Sequence, residues 1–565
     1  MGERPKNEFP AATLHGSILL EVWRKCCCRF NGSVANLTEE EARKLATERE
    51  EVVPVFPNGK KQLHTTRSWD FMHFSENARR LIFEGNVIVG MLDTGIWPDS
   101  KSFSDESFGP PPQKRNGTCQ ESSNFTCNNK IIGARYYRAD GQFIPHDVAS
   151  PLDTEGHGSH TASSAAGDIV QGARLLGLGL GDTRGGVPGA HLAVYKICWS
   201  DGCYDSDILA AFDDAIADDV DIISLLVGGF FAINLEDSIA IGSFHAMKND
   251  IMTSNSAGNS GPLYASTSSV APWALSVAAG TLDRKSAIKY NRVMVRFISF
   301  CMWGISIKTF DTENNTYPFI YAGDAGLIGT DASYCDDGTL DKNKVEGKIV
   351  LCDAISIGTG PAVAGALGMV MQNLGFDDVA FSFILPASYM SNGSAVFSYV
   401  KSTENPTAKI FKSDPEVDVI SVFVVSFSSR GPNIITPDIL KPDTTGPGLD
   451  MLAAWSEATT VTGFPGDTRV VPCNIISGTS MSCPHASGAA AYIKSFYPTW
   501  SPAAIKSALM TTDQSDDEFS YGAGHINLAN ATNPGLVYDA GEIDCIKFLC
   551  GQGYNDTKLK VVARK

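Results

Sequence analysis

Three short runs of this chain are apolar at nearly every position: Val87–Leu92, Leu192–Ile197 and Val220–Gly229. None shows the apolar–polar alternation of a strand with one wet face. Continuous apolar runs suit strands covered on both faces, as in parallel sheets. An amphipathic helical pattern, Asp207–Ala217, separates the second run from the third. The βαβ rhythm from residue 65 to about 290 predicts an α/β fold, a doubly wound parallel sheet. Functional groups are then expected at the carboxyl ends of strands, and Asp93 ends the first run. With 565 residues the chain is long enough for several domains, and 43% hydrophobic residues can fill large cores.

Four glycine-rich motifs carry candidate chemistry. VIVGMLDTG (Val87–Gly95) supplies Asp93, GHGSHTAS (Gly156–Ser163) His157, SNSAGNSGP (Ser254–Pro262) Asn259 and GTSMSCPH (Gly478–His485) Ser480. A serine hydroxyl is unreactive at its own pKa, so an imidazole must take its proton. An aspartate can fix the tautomer of that imidazole and stabilise its cation. Ser480 precedes a helical pattern, which puts it beside first-turn N–H groups able to hold an anion. The Asn259 amide can donate to an oxyanion. Each residue alone has a plainer reading: a helix N-cap for Ser480, turn residues for Asp93 and Asn259. The chain order Asp, His, Ser is one of those that build a catalytic triad.

On these four motifs the chain resembles the subtilisin-like serine proteases, and within them the plant branch typified by cucumisin. The likeness runs from about Asn31 to about Gly553. It implies a nucleophile at Ser480, a base at His157, an orienting carboxylate at Asp93 and an oxyanion donor at Asn259. It implies an extended substrate beside Ser224, Leu225, Leu226, Val227 and Gly228, with Ser256, Ala257 and Gly258 across the pocket. The implied organisation is an inhibitory propeptide at 1–64, with the mature chain starting at Thr65. A subtilisin-type catalytic domain comes next at 65–304, then a β-rich protease-associated insert at 305–425. The catalytic domain resumes at 426–545, and 546–565 begin a C-terminal region. Substrates would be proteins or peptides, and the propeptide an intramolecular inhibitor.

The chain departs from the family pattern in places. Leu226 replaces an expected Ser, Gly446 an Ala and Cys473 a Tyr, so Leu226 is expected to crowd the pocket. Ile288–Gly304 lacks the usual Gly- and Asn-rich character, and Met510–Phe519 looks shortened. The N-terminus, MGERPKNEFPAATLHG, has no apolar core, so the chain is expected to begin inside the propeptide. A fibronectin-type-III-like C-terminal domain is expected to be missing. These departures motivate a rival reading, a catalytically inactive, truncated binding protein of the same family.

Composition narrows the partners. Forty-five basic and 63 acidic residues give a formal charge of −18, which disfavours nucleic acid and anionic membranes. No run reaches the length of a membrane span. His157 and His160 could suggest a metal pair, but the His-Glu-x-x-His pattern is absent; no metal or cofactor is expected. GLGLGD (Gly177–Asp182) lacks the spacing of a nucleotide loop and reads as a surface loop. Among 14 cysteines, Cys119 and Cys127, Cys198 and Cys203, and Cys335 and Cys352 stand close together, which points to disulfides in an oxidising compartment. Eight N-x-S/T triplets, at Asn31, Asn36, Asn116, Asn124, Asn314, Asn392, Asn530 and Asn555, agree with an extracellular, secreted protein.

Overall fold

The computed structural model describes residues 67–74, 82–106, 108–145, 147–229, 236–282, 290–295, 301–310, 315–372, 378–390, 392–413, 423–511 and 517–563, together with Thr38 and Lys44. Residues 1–63 form one unit and 64–565 another, and the second holds the sheet, the barrel and their helices. The helix expected at Asn36–Ala46 (Thr38 and Lys44 apart), the strand expected at Val52–Pro57 and the start at Thr65 lie outside the described residues.

The centre is a seven-stranded sheet. Its strands are β1 (Ile88–Asp93), β2 (Ile131–Tyr136), β3 (His191–Lys196), β4 (Ile222–Leu225), β5 (Met252–Ser256), β6 (Leu275–Gly280) and β7 (Thr444–Pro447). They lie in the order β7-β6-β5-β4-β1-β3-β2, and every neighbouring pair is parallel. The apolar runs have the expected cause. Successive strand residues point to opposite faces, and here both faces are dry. On β1, Val89 and Met91 enter one core while Ile88 and Leu92 enter another. Leu192 and Val194 of β3 join the first, Ala193 and Tyr195 the second.

Helices α1 (His157–Ala166) and α4 (Thr479–Phe496) cover the first face. Small residues let them approach closely: Ala162, Ala165 and Ala166 share a core with Ala486, Ala489 and Ala490. Helices α2 (Asp205–Ala217) and α3 (Ser238–Lys248) contribute Ile208, Phe212 and Ile239 to the second face.

A closed barrel comes after β6 in the chain. Around it run Tyr290–Val295, Cys301–Ile305, Ala387–Tyr389, Gly368–Met371, Ile349–Cys352, Tyr317–Tyr321 and Thr407–Ile410, the last pairing back to the first. Two of these strands begin before residue 305, where the insert was expected to begin. Tyr290–Val295 and Cys301–Ile305, in and just past the stretch Ile288–Gly304, pair into the barrel. The barrel is not packed alone. Its residues Met369, Met371 and Tyr389 share a core with Leu452 and Ile475 of the antiparallel pair Met451–Ala454 and Cys473–Ile476, and with Trp455 just after it. Gly177–Asp182, expected as a loop, lies in a hairpin that pairs Val170–Leu175 with Leu178–Thr183. Its glycines hide a strand whose Leu178 is buried in that same core. Disulfides join Cys119 to Cys127, Cys198 to Cys203 and Cys335 to Cys352.

Candidate active site

Asp93 is the last residue of β1, and its side chain is only 2% exposed. Both carboxylate oxygens are engaged. Oδ1 accepts the Thr94 N–H (2.7 Å) and faces His157 Nδ1 at 2.7 Å; Oδ2 accepts the Thr161 hydroxyl (2.7 Å). These contacts fix the direction of the buried carboxylate. His157 begins α1, and its side chain keeps 31% exposure, so one edge of the ring meets solvent. Burial works against an imidazolium here. The Asp93 carboxylate outweighs it and lifts His157 above the ordinary histidine value of 6.5.

This meeting of α1 and β1 depends on Gly158. A Cβ there would stand 2.1 Å from the Gly95 carbonyl oxygen. Without a side chain, the Gly158 N–H reaches Thr94 Oγ1 (2.8 Å), and Thr94 donates to Asp153 Oδ1 (2.9 Å). Asp153 also accepts the N–H groups of Glu155, Gly156 and Ser159. Sequence reasoning did not single out Thr161 or Asp153. Their signal is spacing: four residues after His157, one helical turn, and four before it.

Ser480 is the second residue of α4 and 9% exposed. Its N–H is among the first-turn donors that have no intrahelical acceptor. Its hydroxyl donates to the Leu226 carbonyl oxygen (3.2 Å). Asn259, exposed, is locked to the same helix start: its Oδ1 accepts the Thr479 N–H (3.0 Å) and hydroxyl (2.8 Å). With Oδ1 so occupied, Nδ2 is the group free to serve an anion. Asp93 and His157 are thus joined directly, Asn259 is bonded to Thr479 of α4, and Ser480 to the strand end.

The substrate-facing residues sort differently from expectation. Ser224 and Leu225 lie inside the sheet, each paired to β1 on one side and β5 on the other. Ser224 is buried against Cys483 and Ser487. Their backbones have no free edge for a peptide. Beyond the last paired residue, Val227 is half-buried and Gly228 exposed. Leu226, expected to crowd the pocket, is 4% exposed with its side chain in the core below the sheet. Across the gap, Ser256 and Ala257 are buried and Gly258 half-buried. Ala257 donates to Val277, and the Gly258 N–H donates to Thr479 Oγ1 (3.3 Å). They form a wall.

His160 does not pair with His157. It is buried, its Nε2 meets the Met451 carbonyl (2.9 Å), and burial pushes its pKa down to about 3. Cys483 is also inert: burial pushes its thiol up to about 11. Among the described residues no group of three or more His, Cys, Asp or Glu is arranged to hold a metal ion. None of the described helices is long and apolar enough to cross a membrane.

Residues 84–525 match the model of the subtilase family, Peptidase_S8. Similar curated proteins include subtilisin-like protease SBT4.3 of Arabidopsis thaliana, 46% identical over 99% of this chain and 78% of the relative. Subtilisin-like protease SBT4.15 of the same plant is 46% identical over 94% of this chain and 72% of its own length. SBT1.7, also from Arabidopsis thaliana, is 44% identical over 95% and 75%. A family match over most of the chain, on a parallel sheet whose carboxyl end joins Asp93 to His157, leads to one conclusion: the chain belongs to the subtilase family of serine-type endopeptidases.

Proposed function

We propose that this protein is a secreted endopeptidase, made as a zymogen, that cleaves proteins through Asp93, His157 and Ser480. The observation that carries the reading is the 2.7 Å contact of a buried, fully bonded Asp93 with the half-open His157 ring. In this scheme Ser480 Oγ attacks the peptide carbonyl carbon and His157 Nε2 takes the hydroxyl proton. The proton then goes to the leaving amine as the C–N bond breaks, and a water molecule, activated by the same imidazole, frees the acyl group. The Ser480 N–H and Asn259 Nδ2 face the developing oxyanion. At rest the Ser480 hydroxyl donates to Leu226, so the attack begins with a rotation that turns it toward His157; catalytic hydrogen bonds commonly tighten only in the complex. An extended peptide entering beside Leu226–Gly228 would donate an N–H to that same carbonyl and release the hydroxyl.

We read residues 1–64 as the inhibitory propeptide and the barrel as the protease-associated insert. Secretion is supported by the three disulfides and by the sequons: Asn116, Asn124, Asn392, Asn530 and Asn555 are all exposed. Labelling the expressed protein with a fluorophosphonate tests the centre, with Ser480→Ala as control. Wild type is expected to label and to release its N-terminal segment near Thr65; the variant is expected to do neither. A folded, propeptide-free wild type that stays unlabelled would overturn the reading in favour of an inactive binding protein.

A further inference from the structure

The Asn259 side chain is tied to α4, but the backbone beneath it is tied elsewhere. Residues 427–431 border the loop that carries it. The Gly258 carbonyl accepts the Ser429 N–H (2.9 Å). The Ser260 N–H donates to Ser429 Oγ (3.0 Å), and the Gly261 N–H to the Phe427 carbonyl (2.8 Å). Further along, the Ala265 N–H donates to the Gly431 carbonyl and the Ser266 N–H to that of Arg430, both at 2.9 Å. The approach is close: a Cβ on Gly261 would stand 2.0 Å from the Ser428 carbonyl oxygen. Asn259 is therefore bracketed on both sides by one short run, and the placement of its amide follows the placement of that run.

The run leaves a turn closed by the Ser428 N–H on the Val425 carbonyl (3.1 Å). The ends of this turn are fixed near the carboxyl end of β6. The Val425 N–H donates to the Ala279 carbonyl (3.1 Å), and the Ala279 N–H to Ser428 Oγ (3.0 Å). Its middle is fixed from the barrel. Asp378 lies in the chain between the barrel strands Gly368–Met371 and Ala387–Tyr389. Its Oδ2 accepts the Ser426 N–H and its Oδ1 the Ser426 hydroxyl, both at 2.6 Å. The next residue, Val379, shares a small core with Ala279, Val425 and Leu449, and Phe427 packs against it. Hydrogen bonds to a carboxylate are shorter and stronger than neutral ones. Ser426 cannot shift without breaking two of them.

We propose that Asp378 is a positioning residue for catalysis: by clamping the Ser426 turn, it fixes the backbone from which Asn259 aims Nδ2 at the oxyanion. The proposal rests on Asn259 being the oxyanion donor and Ser480 the nucleophile. An oxyanion donor is effective only when it is already in place as charge develops, and small misplacements of reacting groups cost rate. Asn259 Oδ1 stays bonded to Thr479 when Asp378 is removed, so the donor is tilted rather than lost. The oxyanion forms after substrate has bound, so the effect belongs to kcat rather than KM.

The test measures peptide cleavage by the full, self-processed enzyme, with rates taken per active site counted by fluorophosphonate. Asp378→Ala is expected to lower kcat by about tenfold with KM nearly constant, a part of the about 10²–10³ that removal of the whole donor costs. Asp378→Asn keeps an acceptor and is expected to fall between it and wild type. In an Asn259→Ala background Asp378→Ala is expected to lower kcat no further, because residues that act through one group are not additive. Ser426→Ala removes one of the two bonds. It is expected to give a smaller loss that also vanishes without Asn259, and it carries the test if Asp378→Ala does not fold. Unchanged kcat in Ser426→Ala and either Asp378 variant, an equal loss with and without Asn259, or a loss carried by KM alone would overturn the proposal. A wild type that neither labels nor cleaves would sink the catalytic reading, and this proposal with it.

Discussion

The seven-stranded sheet and the closed barrel are built by the same rule and end in different chemistry. In both, strand residues alternate between two apolar cores: Val89 and Met91 against Ile88 and Leu92 in the sheet, Val350 and Cys352 against Ile349 and Leu351 in the barrel. In the sheet, the carboxyl end of β1 meets the start of α1, and the start of α4 lies beside the strand end at Leu226. Helix starts bring N–H donors and positive potential to strand ends that carry polar side chains. In the barrel, the corresponding polar group is Asp353, which accepts from the Tyr321 hydroxyl (2.5 Å) and from Gln372 Nε2 (2.7 Å). That knot ties strands together. Alternation builds a core; the layering of helices over a parallel sheet turns its end into a site.

Substitutions in the two regions should therefore separate rate from stability. Ser480→Ala is expected to lower kcat by about 10⁶-fold, the scale seen when a triad nucleophile is removed, with thermal unfolding little changed. Asp93→Asn is expected to lower kcat by about 10⁴-fold. It also carries a pH signature. The base works when His157 is neutral, so kcat/KM should fall as pH drops through a value above 6.5, where Asp93 holds it. Without that carboxylate burial is opposed only by the Asp153 and Glu155 charges, and the acid limb of residual activity should move to lower pH. The linkage runs the other way for stability. A His157 pKa raised on folding contributes fully below its unfolded value, and that contribution is lost as pH rises through the folded one. Asn259→Ala is expected to lower kcat by about 10²–10³-fold with KM nearly constant, because the lost donor acts on the oxyanion; an equal loss carried by KM alone would assign Asn259 to substrate binding instead. In the barrel, Leu351→Ala removes a fully buried side chain and is expected to cost about 2–5 kcal/mol in unfolding. Turnover per labelled active site should stay the same. A drop in turnover would mean that the barrel controls the geometry of the site through the core it shares with Trp455 and Leu452.

Much of the sheet was legible because burial on both faces leaves a mark that needs no partner to be read. The runs at Val87 and Leu192 became β1 and β3, each shifted by one residue, and the run at Val220 became the shorter β4. Asp207–Ala217 became α2, and three close cysteine pairs became disulfides. The first two barrel strands were not legible, because Tyr290–Val295 and Cys301–Ile305 are strands through partners at Thr407–Ile410 and Ala387–Tyr389, about a hundred residues away. Ser224 and Leu225 were placed on a peptide-binding edge. A strand's sequence tells which residues are buried and is silent about which of its edges a neighbour already holds.

The sequence by itself determined the materials of this protein: the apolar runs that make a parallel sheet, and glycine-rich motifs that place an Asp, a His, an Asn and a Ser at strand ends and helix starts. Only the tertiary structure decided how those materials meet. Gly158 lets α1 come within hydrogen-bonding distance of the turn after Asp93, where any Cβ would strike the Gly95 carbonyl. Leu226 turns its side chain into the core and its carbonyl toward Ser480. Glu155 is left with a buried oxygen that nothing described around it satisfies. Contacts between residues tens to hundreds of positions apart depend on packing in three dimensions, and local composition carries no record of them.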